Sequence, residues 1–111
     1  MVEMKRGDLV LVPFPGEYGK VRPAVIVQAD AFSNSFGSVI ACPLTSLAAV
    51  HEVARVSVVA TKETGLELDS TIMVEKLAAL PKGKITRIIG RLDAKTIARL
   101  DQSLAALLGL A

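Results

Sequence analysis

Most of this chain carries the short hydrophobic period of β-structure, and a helical period takes over only near its end. Gly7-Asp8-Leu9-Val10-Leu11-Val12-Pro13-Phe14 opens with a Gly-Asp turn and continues as an apolar run, which predicts a strand buried on both faces. Pro13, Pro15, Gly16 and Gly19 punctuate a loop that runs to Arg22. Pro23-Ala24-Val25-Ile26-Val27-Gln28 predicts a second apolar strand with proline at its first position. Asp30 to Ser38 sets Ser, Asn and Gly around Phe32 and Phe36, the composition of a long loop. Ser38 to Leu44 predicts a third strand, ending in Thr45-Ser46. Val53 to Ala60 is β-branched but interrupted by Arg55 and Ser57, as in a half-exposed fourth strand. Thr64-Gly65 marks a turn before a fifth strand over Ser70 to Lys76. Leu77 to Leu80 predicts one helical turn, stopped by Pro81 and Gly83. A sixth strand follows over Lys84 to Leu92, with Ile85 and Ile89 beside Arg87 and Arg91 on one face.

The period then changes. Ile97, Leu100, Leu104 and Leu107 recur at helical spacing, and Leu108 widens the stripe. Asp93 is the expected N-cap and Gly109 the expected stop. About six short strands followed by one amphipathic helix predict a mainly β fold. The expected form is a small, strongly curved antiparallel sheet or barrel, with the C-terminal α-helix closing one opening or edge. Strand–helix–strand alternation is missing, which argues against a doubly wound parallel sheet. At 111 residues the chain has room for one domain, spanning 1–111.

Hydrophobic residues make up 51% and charged residues 22%, the balance of a globular chain rather than a disordered one. The longest apolar stretch, Leu104 to Ala111, is far short of the ~20 residues of a membrane span. The first residues hold no apolar segment of signal-peptide length, so a cytoplasmic location is expected. Net charge is only +2, but Lys82 to Arg99 holds six basic residues against the single acid Asp93, and Lys20 stands near Arg22. Such clustering either attracts a polyanion or forms a solvated face. Cys42, the only cysteine, excludes an internal disulfide and a cysteine-based zinc site, and reads as a small core residue. His51 is the only histidine, so no mechanism using two histidines from one chain is available. Gly-rich phosphate loops, a His-Glu metal motif and Gly-x-Ser-x-Gly are all missing. Neither metal nor cofactor is expected.

Polar residues at strand ends remain. Arg22 precedes Pro23, which biases its backbone toward an extended conformation. Its guanidinium is either a rigid fork for phosphate oxygens or a structural cap paired with Glu17 or Asp30. The Thr45 hydroxyl either faces a ligand or bonds the backbone of its own turn. Glu75 alternates with Thr71 and Met73 late in the fifth strand, either solvated or, beside an arginine, able to serve as a base.

Five segments together resemble the PemK/MazF family of bacterial toxin endoribonucleases. They are Arg6-Gly7-Asp8-Leu9-Val10 with Phe14-Pro15; Lys20-Val21-Arg22-Pro23-Ala24-Val25-Ile26-Val27; Pro43-Leu44-Thr45-Ser46; Val74-Glu75-Lys76-Leu77; and Ile89-Gly90-Arg91-Leu92-Asp93, leading into the last helix and Leu108-Gly109-Leu110. They follow the family's order and spacing over almost the whole chain. The resemblance implies an SH3-like barrel with a C-terminal helix, working as a homodimer that cleaves single-stranded RNA at short motifs. It gives Arg22 the place of the catalytic arginine, Thr45 that of the catalytic threonine, and Glu75 that of an acid near the scissile phosphate. Some branches carry a second arginine two positions before that acid; here the residue is Met73.

RNA brings its own nucleophile, the 2′-OH, so such an enzyme needs neither metal nor protein nucleophile and leaves a 2′,3′-cyclic phosphate and a 5′-OH. In this scheme Arg22 stabilises the phosphoryl oxygens, and Thr45 aligns the attacking hydroxyl. Phe14 and Tyr18 are the expected stacking platforms for unpaired bases. Glu17, Lys20, Ser46 and Lys76 complete the expected RNA-binding set. The resemblance also implies a cognate antitoxin whose flexible, acidic, disordered tail covers the basic groove. Two other readings stay open: a related CcdB-like toxin that binds DNA gyrase without cutting RNA, and a non-catalytic SH3-like module that only binds an antitoxin.

Overall fold

The computed structural model describes residues 3–14, 20–46 and 54–111. Among these, seven strands form one antiparallel sheet: β1 (Asp8–Pro13), β2 (Val21–Ile26), β3 (Ser38–Thr45), β4 (Arg55–Val58), β5 (Ser70–Met73), β6 (Ala78–Pro81) and β7 (Arg87–Arg91), with the helix α1 (Ala94–Leu107) last. The strand order is β4-β5-β3-β2-β1-β7, and β6 branches off to pair with β3. The long β3 thus uses one edge twice: Ser38 to Ala41 pair with β6, and Leu44 and Thr45 pair with β5.

The central strands are apolar on both sides, as their sequences predict, because the curved sheet covers two cores. Leu9, Val25 and Cys42 are cross-strand partners and point into the larger core, which also takes Leu100 and Leu104 of α1. One residue along, Val10, Ala24 and Ala41 point the other way, into a second core with Val12, Phe14 and Leu80. Cys42 is completely buried, and burial pushes its thiol pKa up to about 12. A bulge between Leu9 and Val10 shifts β1 on β7, pairing Leu9 with Gly90 but Val10 with Ile88. Ile88 packs on the second core with Ile85, and Ile89 on the larger one, so Ile85 and Ile89, expected on one face, lie on opposite faces.

The helix starts and stops where the sequence predicts. The Asp93 carboxylate accepts a 2.7 Å hydrogen bond from the Thr96 N–H and is held below the usual carboxylate range by that bond. At the other end Gly109 adopts a φ of 74°, and Leu110 and Gly109 donate back to the carbonyls of Ala105 and Ala106 in a Schellman turn. Leu107 and Leu108, counted in the apolar stripe, stay exposed.

Other expectations need correction. The second strand begins two residues early, at Val21, so Pro23 is its third residue; it lies just outside the β2–β3 ladder, which starts at Ala24. Residues 77–80, read as a helical turn, lead into β6, because the free edge of β3 supplies partners that a short apolar run cannot reveal. The fifth strand stops at Met73, and Val74–Lys76 form a single 3₁₀ turn. Lys82–Lys84 form another, which shortens the last strand. Among the described residues, no helix is long and apolar enough to cross a membrane.

Candidate active site at the end of the sheet

The register brings Arg22 and Thr45 together on one face. Ala24 pairs with Pro43, and Arg22 and Thr45 each lie two residues beyond that pair, so strand alternation points both to the same side. Thr45 pairs with Thr71 of β5, and Thr71 with Ser57 of β4, so hydroxyl residues continue the row across the sheet. Thr45 and Thr71 are buried and Arg22 is half-buried.

A cleft of about 470 Å³ opens beside this row, bordered by the start of β2, the end of β3, residues 65–70 and β7. Leu11 pairs with both Pro23 and Arg87, so these three form one row across β2, β1 and β7. Leu11, Pro23, Leu44 and Ile89 give the cleft an apolar lining. Among the described residues, Lys20, Arg22 and Arg87 are its cations and Glu67 its carboxylate; Ser46 and Ser70 add hydroxyls.

Two glycines hold the far wall in place. Gly65 has a φ of 69°, and a Cβ there would lie 2.0 Å from the Ile89 carbonyl oxygen; one on Gly90 would lie 2.2 Å from that of Thr64. The turn is knotted by Thr64, whose hydroxyl donates to the Thr61 carbonyl and accepts from the Thr61 N–H. The Arg91 N–H then donates to the Glu63 carbonyl at 2.8 Å. Sequence alone marks Thr64-Gly65 as a turn, but not what the turn packs against.

The predicted site residues divide. Arg22, Lys20 and Ser46 border the cleft, and Thr45 stands next to it on the sheet. Glu75 lies on the 3₁₀ turn after β5, outside the cleft lining, because the strand ends before it. Arg55, opposite Met73 on β4, grips it: Nη2 to Oε2 is 2.7 Å, and Nε lies 3.2 and 3.4 Å from the two oxygens. These hydrogen bonds hold the Glu75 carboxyl below its ordinary pKa. Lys76 is exposed on the same turn, also outside the cleft. Phe14, expected as a stacking platform, is instead a buried member of the second core, on the same strand face as Val10 and Val12. Its ring gives a base no face to rest on. Glu17, Tyr18 and His51 lie outside the described residues. Among the described residues no cluster of three or more His, Cys, Asp or Glu is placed to hold a metal ion.

Sequence reasoning missed Glu67 and Ser70, and saw Arg87 only as one charge in a basic run. The signal was hidden because β7 meets Leu11 from a distance of more than seventy residues along the chain.

Comparison with known proteins identifies the lineage. The family model for PemK-like, MazF-like toxins of type II toxin–antitoxin systems matches residues 5–108. The probable endoribonuclease MazF of Mycolicibacterium smegmatis is 34% identical over 109 residues, covering 97% of this chain and 99% of that protein. The endoribonuclease EndoA of Bacillus subtilis is 29% identical over 111 residues, covering 96% of each. Among solved structures, a mycobacterial endoribonuclease in complex with its cognate antitoxin superposes with a TM-score of 0.80 at 21% identity, over 100% of this chain and 98% of that one. MazF from Deinococcus radiodurans gives 0.81 at 23% identity, over 98% and 99%. The fold is that of the MazF toxins, and with the family model spanning nearly its full length, the chain belongs to the PemK-like, MazF-like toxins of type II toxin–antitoxin systems.

Proposed function

We infer that this chain is an endoribonuclease toxin that cuts single-stranded RNA without a metal ion. The observation that carries this reading is the placement of Arg22 and Thr45 on one sheet face, with Arg22 bordering a cleft where, among the described residues, cations outnumber carboxylates. Arg22 binds the non-bridging oxygens of the scissile phosphate, and its charge is worth most as the transition state gathers negative charge there. Thr45 hydrogen-bonds a phosphoryl oxygen and fixes the 2′-OH for in-line attack. The 2′-oxygen bonds to phosphorus, the bond to the 5′-oxygen breaks, and the products are a 2′,3′-cyclic phosphate and a 5′-OH. Glu75, tied to Arg55, fixes that arginine near the hydroxyl row, and water takes the 2′-OH proton. Lys20 and Ser46 hold neighbouring parts of the strand.

The toxin acts in the cytoplasm as a homodimer. Its inhibitor is a cognate antitoxin whose acidic, disordered tail lies over the same cations.

The test is cleavage of a mixed single-stranded RNA pool in EDTA, with product ends identified. Cyclic phosphate and 5′-OH ends are expected from the wild type, and Arg22→Ala is expected to be slower by about 10²–10³-fold. Glu75→Gln is expected to lose about tenfold or less, because a general base contributes more, about 10²–10⁴-fold. Equal cleavage by wild type and Arg22→Ala overturns the assignment.

A further inference from the structure

The arginines sort by what they touch. Arg6 holds Asp101, Arg55 holds Glu75 and Arg91 holds Asp8, at 2.7, 2.7 and 2.8 Å. Arg99 donates to the Ser57 carbonyl. Arg87 is exposed and makes no hydrogen bond or ion pair among the described residues, yet it borders the cleft that Arg22 also borders. Its strand position places it in the row Arg87–Leu11–Pro23, two strand spacings, about 10 Å, from β2. Leu11 and Pro23 give Arg87's face of the sheet an apolar floor; Arg22, opposite Val12 and so on the alternate face, borders the cleft at its β2 end beside Lys20, and Glu67 is exposed on the facing wall.

A flat apolar body, an anionic link on either side and hydrogen-bond donors on one edge would fill this arrangement, and a nucleotide within a strand has all three. We propose that the cleft is the subsite for the nucleotide next to the cleaved bond, with Arg87 clamping its far phosphate and Glu67 selecting its base. The proposal rests on the RNA-cleavage reading above. The base lies on Leu11 and Pro23. The Glu67 carboxylate accepts from an exocyclic amino group, as carboxylates do from cytosine N4. Uracil offers no such group and leaves the carboxylate facing a carbonyl oxygen, which selects against it. Arg22 works at the reacting phosphate and Arg87 one step away, so Arg87 supplies binding rather than chemistry.

The experiment maps and counts cut sites in an RNA pool with randomised flanks, for wild type, Arg87→Ala, Glu67→Gln and Lys95→Ala. Arg87→Ala is expected to raise KM about tenfold, leaving kcat and the thermal melt unchanged, since its side chain is exposed and, among the described residues, makes no hydrogen bond or ion pair. Glu67→Gln is expected to relax the bias against uracil by about tenfold at one position beside the cut, with the others unchanged. Lys95→Ala removes an equal charge from the exposed helix surface outside the cleft and is expected to change neither. Unchanged KM in Arg87→Ala, together with an unchanged site profile in Glu67→Gln, overturns the subsite while leaving the nuclease reading intact. A wild type that cuts no RNA removes both.

Discussion

Glu75 shows how one neighbour sets the chemistry of a side chain. With its side chain 30% exposed and the Arg55 side chain 17% exposed, the pair is screened enough to contribute only about 1 kcal/mol. Its pKa is lower in the folded chain than in the unfolded one, chiefly through the Arg55 hydrogen bonds. The contribution is therefore complete above the ordinary glutamate range and fades as pH falls through the lower folded value. Glu75→Gln is expected to melt at a lower temperature than wild type near neutral pH, with the two curves converging in acid. A gap that persists undiminished below the carboxylate range would show that the pair is not its source. Burial governs Phe14 in a similar way. The expectation that Phe14 stacks on an unpaired base put it on the surface, while its alternation with Val10 and Val12 pointed inward.

At the scale of elements, the glycine contacts between the turn and β7 decide whether the cleft has a far wall. Gly65→Ala and Gly90→Ala are each expected to destabilise by about 2–4 kcal/mol, combining overpacking against backbone with, at Gly65, a left-handed conformation. At Gly37 a Cβ meets nothing within 4 Å, and Gly37→Ala is expected to stay within about 0.5 kcal/mol. Urea unfolding of the three variants checks both statements. Elements with a strong local signal were legible in the sequence: β1, apolar on both faces, and the capped helix from Asp93 to Gly109. Elements decided by partners were not. The apolar run before Pro81 holds too few residues to show a period, and only the unoccupied edge of β3 makes it a strand. The same limit applied to the site. Arg22 and Thr45 stood out by motif, whereas Arg87 and Glu67 joined them through strand pairing and a turn that packs across it.

Across the whole molecule, a net charge of +2 conceals a local excess at the cleft, where, among the described residues, Lys20, Arg22 and Arg87 stand against one carboxylate. Binding to single-stranded RNA is expected to weaken with salt at a log–log slope of roughly −2 if these three cations meet phosphates, since each contributes about 0.7. Arg87→Ala then flattens the slope by about that amount; titrations at several salt concentrations read it directly. The interior has its own consequence. A sulfur enclosed at the centre of the larger core, with its proton so firmly held, is closed to peroxide and to alkylating reagents, which attack the ionised form. Oxidative stress would thus leave the toxin's one thiol untouched while the fold stays shut. Any labelling of that atom counts the moments when the two sides of the barrel part, giving each molecule a chemical clock for its own opening.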